Sequence, residues 1–265
     1  MWFAPFFIKL GVVFFMTKFV GILNLTPDSF FDGGKYNKKE SALAQLENLI
    51  ADGANIIDIG AESTRPGATP LSHNEEWERI KDILPQVVKV AHHNKIEVSL
   101  DSRHFENVTK ALEMGIDIIN DVSGFADENM IRLARMSGKK IVVMHNLGIP
   151  ADKNKIVNES LDIIEVLINW MENKLEILQA AGIKKEQIIF DPGLGFGKNA
   201  VQSIRIIKEI ERLRTLDLPL YIGHSNKSFL DHWEIENCKT RIDKTNFVTK
   251  YLIAKEVEYL RLHKI

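Results

Sequence analysis

Short apolar runs recur along the chain at residues 18–24, 55–60, 97–101, 117–120, 140–145, 187–191, 218–223 and 258–261. Longer segments between most of them place apolar residues on one helical face. Leu43, Leu46, Leu49 and Ile50 do so within 38–52. Trp77, Ile80, Ile83, Leu84, Val87 and Val88 do so within 74–92, and 161–181 and 203–213 read the same way. Apolar runs of strand length alternating with amphipathic helices predict βαβ units and a parallel sheet, because parallel neighbours need crossover connections. Eight strands favour a single (βα)8 TIM barrel of the α/β class over an open doubly wound sheet.

The polar positions sharpen this picture. The eight runs end in Asn24, Gly60, Asp101, Asn120, His145, Asp191, Gly223 and Arg261. In such barrels chemistry collects at the C-terminal ends of the strands. Eight runs ending this way are more than turn chemistry alone explains. After the eighth run only Leu262 to Ile265 remain, so the barrel reads as lacking its final C-terminal helix. Residues 1–16 are almost wholly apolar and aromatic, and read as an N-terminal extension ahead of a barrel domain at 17–265. That stretch is too short for a membrane span and lacks the basic lead and small-residue site of a secretory peptide.

Composition changes little in this reading. The net charge of −2 gives no bulk positive field for nucleic acid. A single cysteine, Cys238, excludes an internal disulfide or a Cys-rich zinc site and points to a reducing, cytoplasmic setting. No His-Glu-x-x-His pattern or Cys/His cluster occurs. His92 and His93 fit the C-terminal end of a helix dipole. His145, at a strand end, reads equally as a core histidine or a site residue.

Candidate chemistry sits in the loops. Residues 21–34 run Gly-Ile-Leu-Asn-Leu-Thr-Pro-Asp-Ser-Phe-Phe-Asp-Gly-Gly, an apolar run stopping at Asn24 before a loop carrying two phenylalanines. After the second run, Ser63, Thr64 and Arg65 offer hydroxyl and guanidinium donors suited to phosphate, or a solvated turn. Asp191-Pro192-Gly193-Leu194-Gly195-Phe196-Gly197-Lys198 matches neither the dinucleotide fingerprint nor a P-loop. It suits a flat ligand instead: close backbone, a carboxylate and a ring. Ser225 to Ser228 opens the segment after the seventh run and suits an anion or a simple helix cap. Arg261 and His263 alternate, so they point the same way.

Taken in order, these motifs resemble the dihydropteroate synthase family over almost the whole chain, from Gly21 to His263. The most specific are residues 21–34, the run Asp58 to Ala68, and the run Asp191 to Lys198. Val98 to Ser102, Ile119 to Gly124, Val143 to His145, Ser225 to Phe229 and Leu260 to His263 also match. The resemblance implies a Mg²⁺-using TIM-barrel transferase of folate biosynthesis, working as a homodimer without nucleic acid or membrane. It would join 6-hydroxymethyl-7,8-dihydropterin diphosphate to p-aminobenzoate, giving 7,8-dihydropteroate and diphosphate.

Carried over by position, Asp101, Asn120, Met144, Asp191 and Lys227 would hold the pterin. Asn24, Thr64, Arg261 and His263 would hold the diphosphate, Asn24 also touching Mg²⁺. Pro27, Phe30, Pro66, Phe196 and Ser228 would frame the aminobenzoate pocket, bordered by Thr64 and Arg65. Asp32, Arg65, Asp101 and Lys227 would take the catalytic roles. Two departures stand out: Asn226 replaces the Arg of a usual Ser-Arg-Lys, and the chain ends soon after His263. They keep open a non-catalytic or partner-dependent pterin-binding paralogue, and expect a weakened or altered dimer. A methyltetrahydrofolate methyltransferase would share the barrel but would not need Ser63 to Pro66 or the aromatic first loop.

Overall fold

A computed structural model describes residues 16–26, 38–64, 67–152 and 154–265. Eight strands form one parallel sheet: β1 Lys18–Asn24, β2 Ile56–Gly60, β3 Glu97–Asp101, β4 Ile118–Asp121, β5 Lys140–Met144, β6 Ile188–Asp191, β7 Tyr221–Ile222 and β8 Tyr259–Leu262. Their order is β6-β5-β4-β3-β2-β1-β8-β7. A parallel bridge between Phe190 and Leu220 joins the two outer strands, with Phe190 N donating to Pro219 O at 2.9 Å, and closes the barrel. The connecting helices are α1 Lys38–Ala51, α2 His73–Ile80, α3 Leu84–His93, α4 Phe105–Glu113, α5 Glu128–Ser137, α6 Ile163–Ala180, α7 Ala200–Lys208 and α8 Arg241–Ala254. Among the described residues no helix follows β8, and none is long and apolar enough to cross a membrane.

Local sequence sets the helix starts. Ser72 and Glu75 form a reciprocal capping box at α2, as do Asn199 with Gln202 at α7 and Thr240 with Asp243 at α8. Asp127 and Asp162 cap α5 and α6. The single helix expected over 74–92 is two helices. Its apolar spacing runs on through Ile83 and Leu84, but Pro85 has no N–H to give to the preceding turn, and the chain restarts with Pro85 near the head of α3.

Apolar residues fill two layers. The larger lies between strands and helices, and includes Leu23, Ile57, Ile59, Leu100, Val143 and Phe190. The smaller fills the barrel with Val20, Ile56, Ile118, Val142, Ile189, Tyr221 and Tyr259. Strand side chains alternate between faces, so the residues two steps beyond this inner set face the barrel mouth. At the opposite end Glu97 takes Lys18 at 2.8 Å and Lys140 at 3.2 Å, closing the floor with charge. A cavity of about 450 Å³ near that floor, lined by Lys18, Asn55, Asn94 and Glu97, lies away from the strand ends that carry the chemistry.

Candidate active site

Two steps along each strand from the inner apolar layer stand Asp58 on β2, Asn120 on β4, Met144 on β5, Asp191 on β6 and Arg261 on β8. Asp101 and Asn24 end β3 and β1 beside them; a Cβ built on Gly60 would lie 3.5 Å from the Asp101 side chain and 3.7 Å from Asn24 Oδ1. Arg261 Nε donates to Asp58 Oδ2 at 2.6 Å, and its Nη2 donates to Asp101 Oδ2 at 2.8 Å. Asn120 Nδ2 donates to both Asp58 oxygens, at 3.3 and 3.2 Å. Asp58 is wholly buried, and among the described residues the Arg261 guanidinium is shared between two carboxylates.

One cation cannot neutralise two anions, and the excess falls on Asp101. Burial pushes its carboxyl up to about 8, against the pull of Arg261 and with Asp58 adding to the rise. Folded protein therefore keeps a proton there that the unfolded chain releases near 3.8. The resulting stability is fully present below about pH 4 and is lost as pH rises towards about 8. Asp191 and Asp121, also pushed up by burial, act in the same direction. Asp101→Asn is expected to flatten part of this slope between about pH 5 and pH 8. Urea midpoints of both proteins across that window are the check, and identical slopes would refute the assignment.

The loop from β6 to α7 packs its backbone against the end of β5. Gly193 has φ 65°, and a Cβ there would come 2.0 Å from His145 O. Only glycine permits that approach. Asp191 Oδ1 accepts from Gly193 N at 2.7 Å, fixing the carboxylate at the strand end. Lys227 Nζ donates to Leu194 O at 2.5 Å and stands 4.8 Å from the Phe196 ring centre. Burial lowers the Lys227 pKa to about 8, with Asp191 opposing, and burial raises that of Asp191, with Lys227 opposing.

Behind this loop the buried Lys198 Nζ lies 2.8 Å from His145 Nδ1 and donates to Phe196 O at 2.9 Å. His145 is 2% exposed and packs edge-on against Trp170. Burial, then Lys198, pushes its pKa down to about 3, so it serves as a neutral acceptor. His145 is thus a satisfied core histidine. His92, on the outside, pairs with Asp117 at 2.8 Å, at the end of α3 as expected of a dipole partner.

The other described candidates lie in segments that follow the strands. His263 N and Nδ1 lie 3.2 and 3.0 Å from Ser225 Oγ. Ser228 is exposed at the start of a 3₁₀ turn, Ser228–His232. Asn226 takes φ 57°, which Asn tolerates, and its N donates to Thr245 Oγ1 at 3.2 Å. Half-buried Thr64 accepts at its carbonyl from Ala151 N at 3.2 Å, tying the loop after β2 to the loop after β5. Pro27, Phe30, Asp32, Arg65 and Pro66 lie outside the described residues, as do residues 1–15.

The structure thus gathers Asn24, Asp101, Asn120, Met144, Asp191, Arg261 and Lys227 at one end of the barrel, with Phe196 beside Lys227. It also adds Asp58, which the sequence reading passed over. The signal was present: Asp58 stands two residues before Gly60 in an otherwise isoleucine-rich strand, on the face that Gly60 turns to the mouth. Among the described residues no group of three or more His, Cys, Asp or Glu could hold a metal. Asn24 makes no hydrogen bond through its carboxamide among the described residues, so its oxygen is available to a ligand.

Comparison with known proteins agrees with this geometry. The profile of the family described as "Pterin binding enzyme" matches residues 20–263. A dihydropteroate synthase of Synechocystis sp. is 34% identical over 251 residues, 94% of this chain and 86% of the relative. A probable bifunctional folylpolyglutamate synthase/dihydropteroate synthase of Halobacterium salinarum is 39% identical over 212 residues, 80% of this chain. The chain spans only 25% of the length of that two-function relative. Among solved structures, dihydropteroate synthase from Anaplasma phagocytophilum with bound 6-hydroxymethylpterin-monophosphate superposes with a TM-score of 0.85, at 36% identity and 94% coverage of both chains. With its barrel, its strand-end carboxylates and these relatives in agreement, the chain belongs to the dihydropteroate synthase family of pterin binding enzymes.

Proposed function

We propose that the chain condenses 6-hydroxymethyl-7,8-dihydropterin diphosphate with p-aminobenzoate, releasing diphosphate and forming 7,8-dihydropteroate. The observation that carries this is Asp191. It is buried at a strand end, with one oxygen fixed by Gly193 N and, among the described residues, no hydrogen bond to the other. A pterin offers an amidine-like edge of adjacent N–H donors, which a carboxylate binds in a charge-assisted pair. Asn120, its Nδ2 turned down towards Asp58, has its Oδ1 left for a further donor.

In this reading the C–O bond from the pterin methylene to the diphosphate breaks, and a C–N bond to the aryl amine forms. The leaving oxygen takes the electron pair. The amine loses a proton to water or to the released diphosphate. An aniline is uncharged at neutral pH, so no strong base is required, in keeping with a site where His145 is locked in the core. Arg261 and His263 at the mouth suit the anionic leaving group. Asp32, and Asp101 once it gives up its retained proton, suit the positive charge that develops on the methylene. Lys227 and Phe196, stacked on each other, and Ser228 border the aryl substrate.

Mg²⁺ belongs to the same proposal. It keeps much of its water and favours substrate phosphates with few protein ligands, so the Asn24 carboxamide oxygen is a fitting donor and no acidic cage is needed. Bound there, it would supply charge neutralisation to the leaving diphosphate. A homodimer is likewise proposed, supported by Ile242, Phe247 and Ile253 exposed on α8. A cytoplasmic setting is supported by the lone cysteine. Incubating purified protein with both substrates and Mg²⁺ tests the reading. Diphosphate release that depends on aminobenzoate is expected; pterin binding without such release would replace the enzyme with a binding protein.

A further inference from the structure

Four consecutive residues at the end of β3 reach in different directions. Asp101 points to Arg261 in the barrel, and Ser102 Oγ donates to the buried Glu76 at 2.6 Å. Arg103 and His104 turn instead to the loop that follows β2. Arg103 Nε donates to Glu62 Oε2 at 2.8 Å and Nη2 donates to Glu62 Oε1 at 2.9 Å, a planar two-point pair. The Glu62 side chain is only 6% exposed. Its Oε1 also accepts from Leu71 N at 2.8 Å, and His104 Nε2 lies 3.1 Å from Leu71 O.

The outgoing and returning stems of this loop, at Glu62 and Leu71, are therefore tied to each other and both to the turn after β3. None of these bonds reaches the mouth cluster. Between the stems lies Thr64, whose carbonyl accepts from Ala151 N at 3.2 Å, on the loop after β5.

We propose that Arg103 is a positioning residue, which sets the stance of the loop after β2 by gripping Glu62 and, through it, Leu71. The loop then meets the aryl amine in a prepared conformation, and ordering it does not have to be repaid at each binding event. The assignment rests on the proposed function above for its substrate, but the grip itself can be read without turnover.

Arg103→Met is the variant, with Arg103→Lys beside it, since lysine keeps the charge but cannot form the two-point fork. Three quantities are measured on the full chain: KM for p-aminobenzoate, calorimetric Kd for 6-hydroxymethylpterin without its diphosphate, and hydrogen exchange at the Leu71 amide. For Arg103→Met the KM is expected to rise about tenfold, as when charge-assisted bonds ordering a loop are lost. The pterin Kd should stay within about twofold and Leu71 exchange should quicken, with Arg103→Lys in between. A pterin Kd that weakens in step with the KM would mark general structural damage and overturn the proposal, as would an unchanged KM. If the parent protein does not release diphosphate, the function is wrong, and Leu71 exchange then decides the grip alone: unaltered protection in Arg103→Met overturns it.

Discussion

Replacing Arg261 with Met is expected to lower folding stability by about 3–5 kcal/mol and to remove turnover. Among the described residues the guanidinium is the one cation bonded to Asp58 and Asp101, and Asp58 is entirely out of water. Its loss leaves the buried Asp58 without its cation and makes Asp101 still harder to ionise, the costly way to break a buried pair. It also takes a charged donor from the place where diphosphate charge would develop. Adding Asp58→Asn to Arg261→Met removes the stranded carboxylate and is expected to restore part of the stability and none of the activity. Urea unfolding of the two single variants, the double variant and the parent measures the coupling. A loss below about 1 kcal/mol in Arg261→Met would mean that the buried cluster is not electrostatically strained as described.

Asp191→Ala is expected to weaken pterin binding on the order of 100-fold, the worth of a charge-assisted hydrogen bond or two. Calorimetry with 6-hydroxymethylpterin reads this directly. The same change strips Lys227 of the carboxylate that opposes its burial, so the lysine, already lowered to about 8, should titrate lower still. A variant that binds pterin as well as the parent would move the flat-ligand site elsewhere. Aminobenzoate affinity, which the proposed pocket rests on Phe196 and Ser228, should change far less.

The strand–helix alternation was legible because both periodicities are local. Each inward residue at a strand end follows from counting by two from an apolar neighbour, and that count also contains Asp58. Which inward residues bond was not legible: Arg261 and Asp58 are 203 positions apart, and only the closed barrel brings β8 beside β1 and so near β2. β7 was read as 218–223, yet its named strand is two residues long, since ladder length depends on the neighbours' register and not on the run itself. Lys198 went unread for the opposite reason. Lysine is normally a surface residue, and nothing in a glycine-rich run announces that its ammonium is buried among three acceptor atoms. His145, open between two roles, became a core residue through that same lysine.

The short β7 has a mechanical consequence. Around most of the barrel, neighbouring strands are laced by several ladder pairs, but between β6 and β7 the lacing is the bridge at Phe190 and Leu220. A cylinder with one thin stave yields there first. Asp191 lies at the end of the strand on one side of that seam, and Lys227 lies past the strand on the other. A pterin held between them would act as a stitch across the gap, adding hoop strength where the backbone provides least. Resistance to thermal or mechanical spreading should then depend on ligand more strongly at this seam than at any other pair of staves.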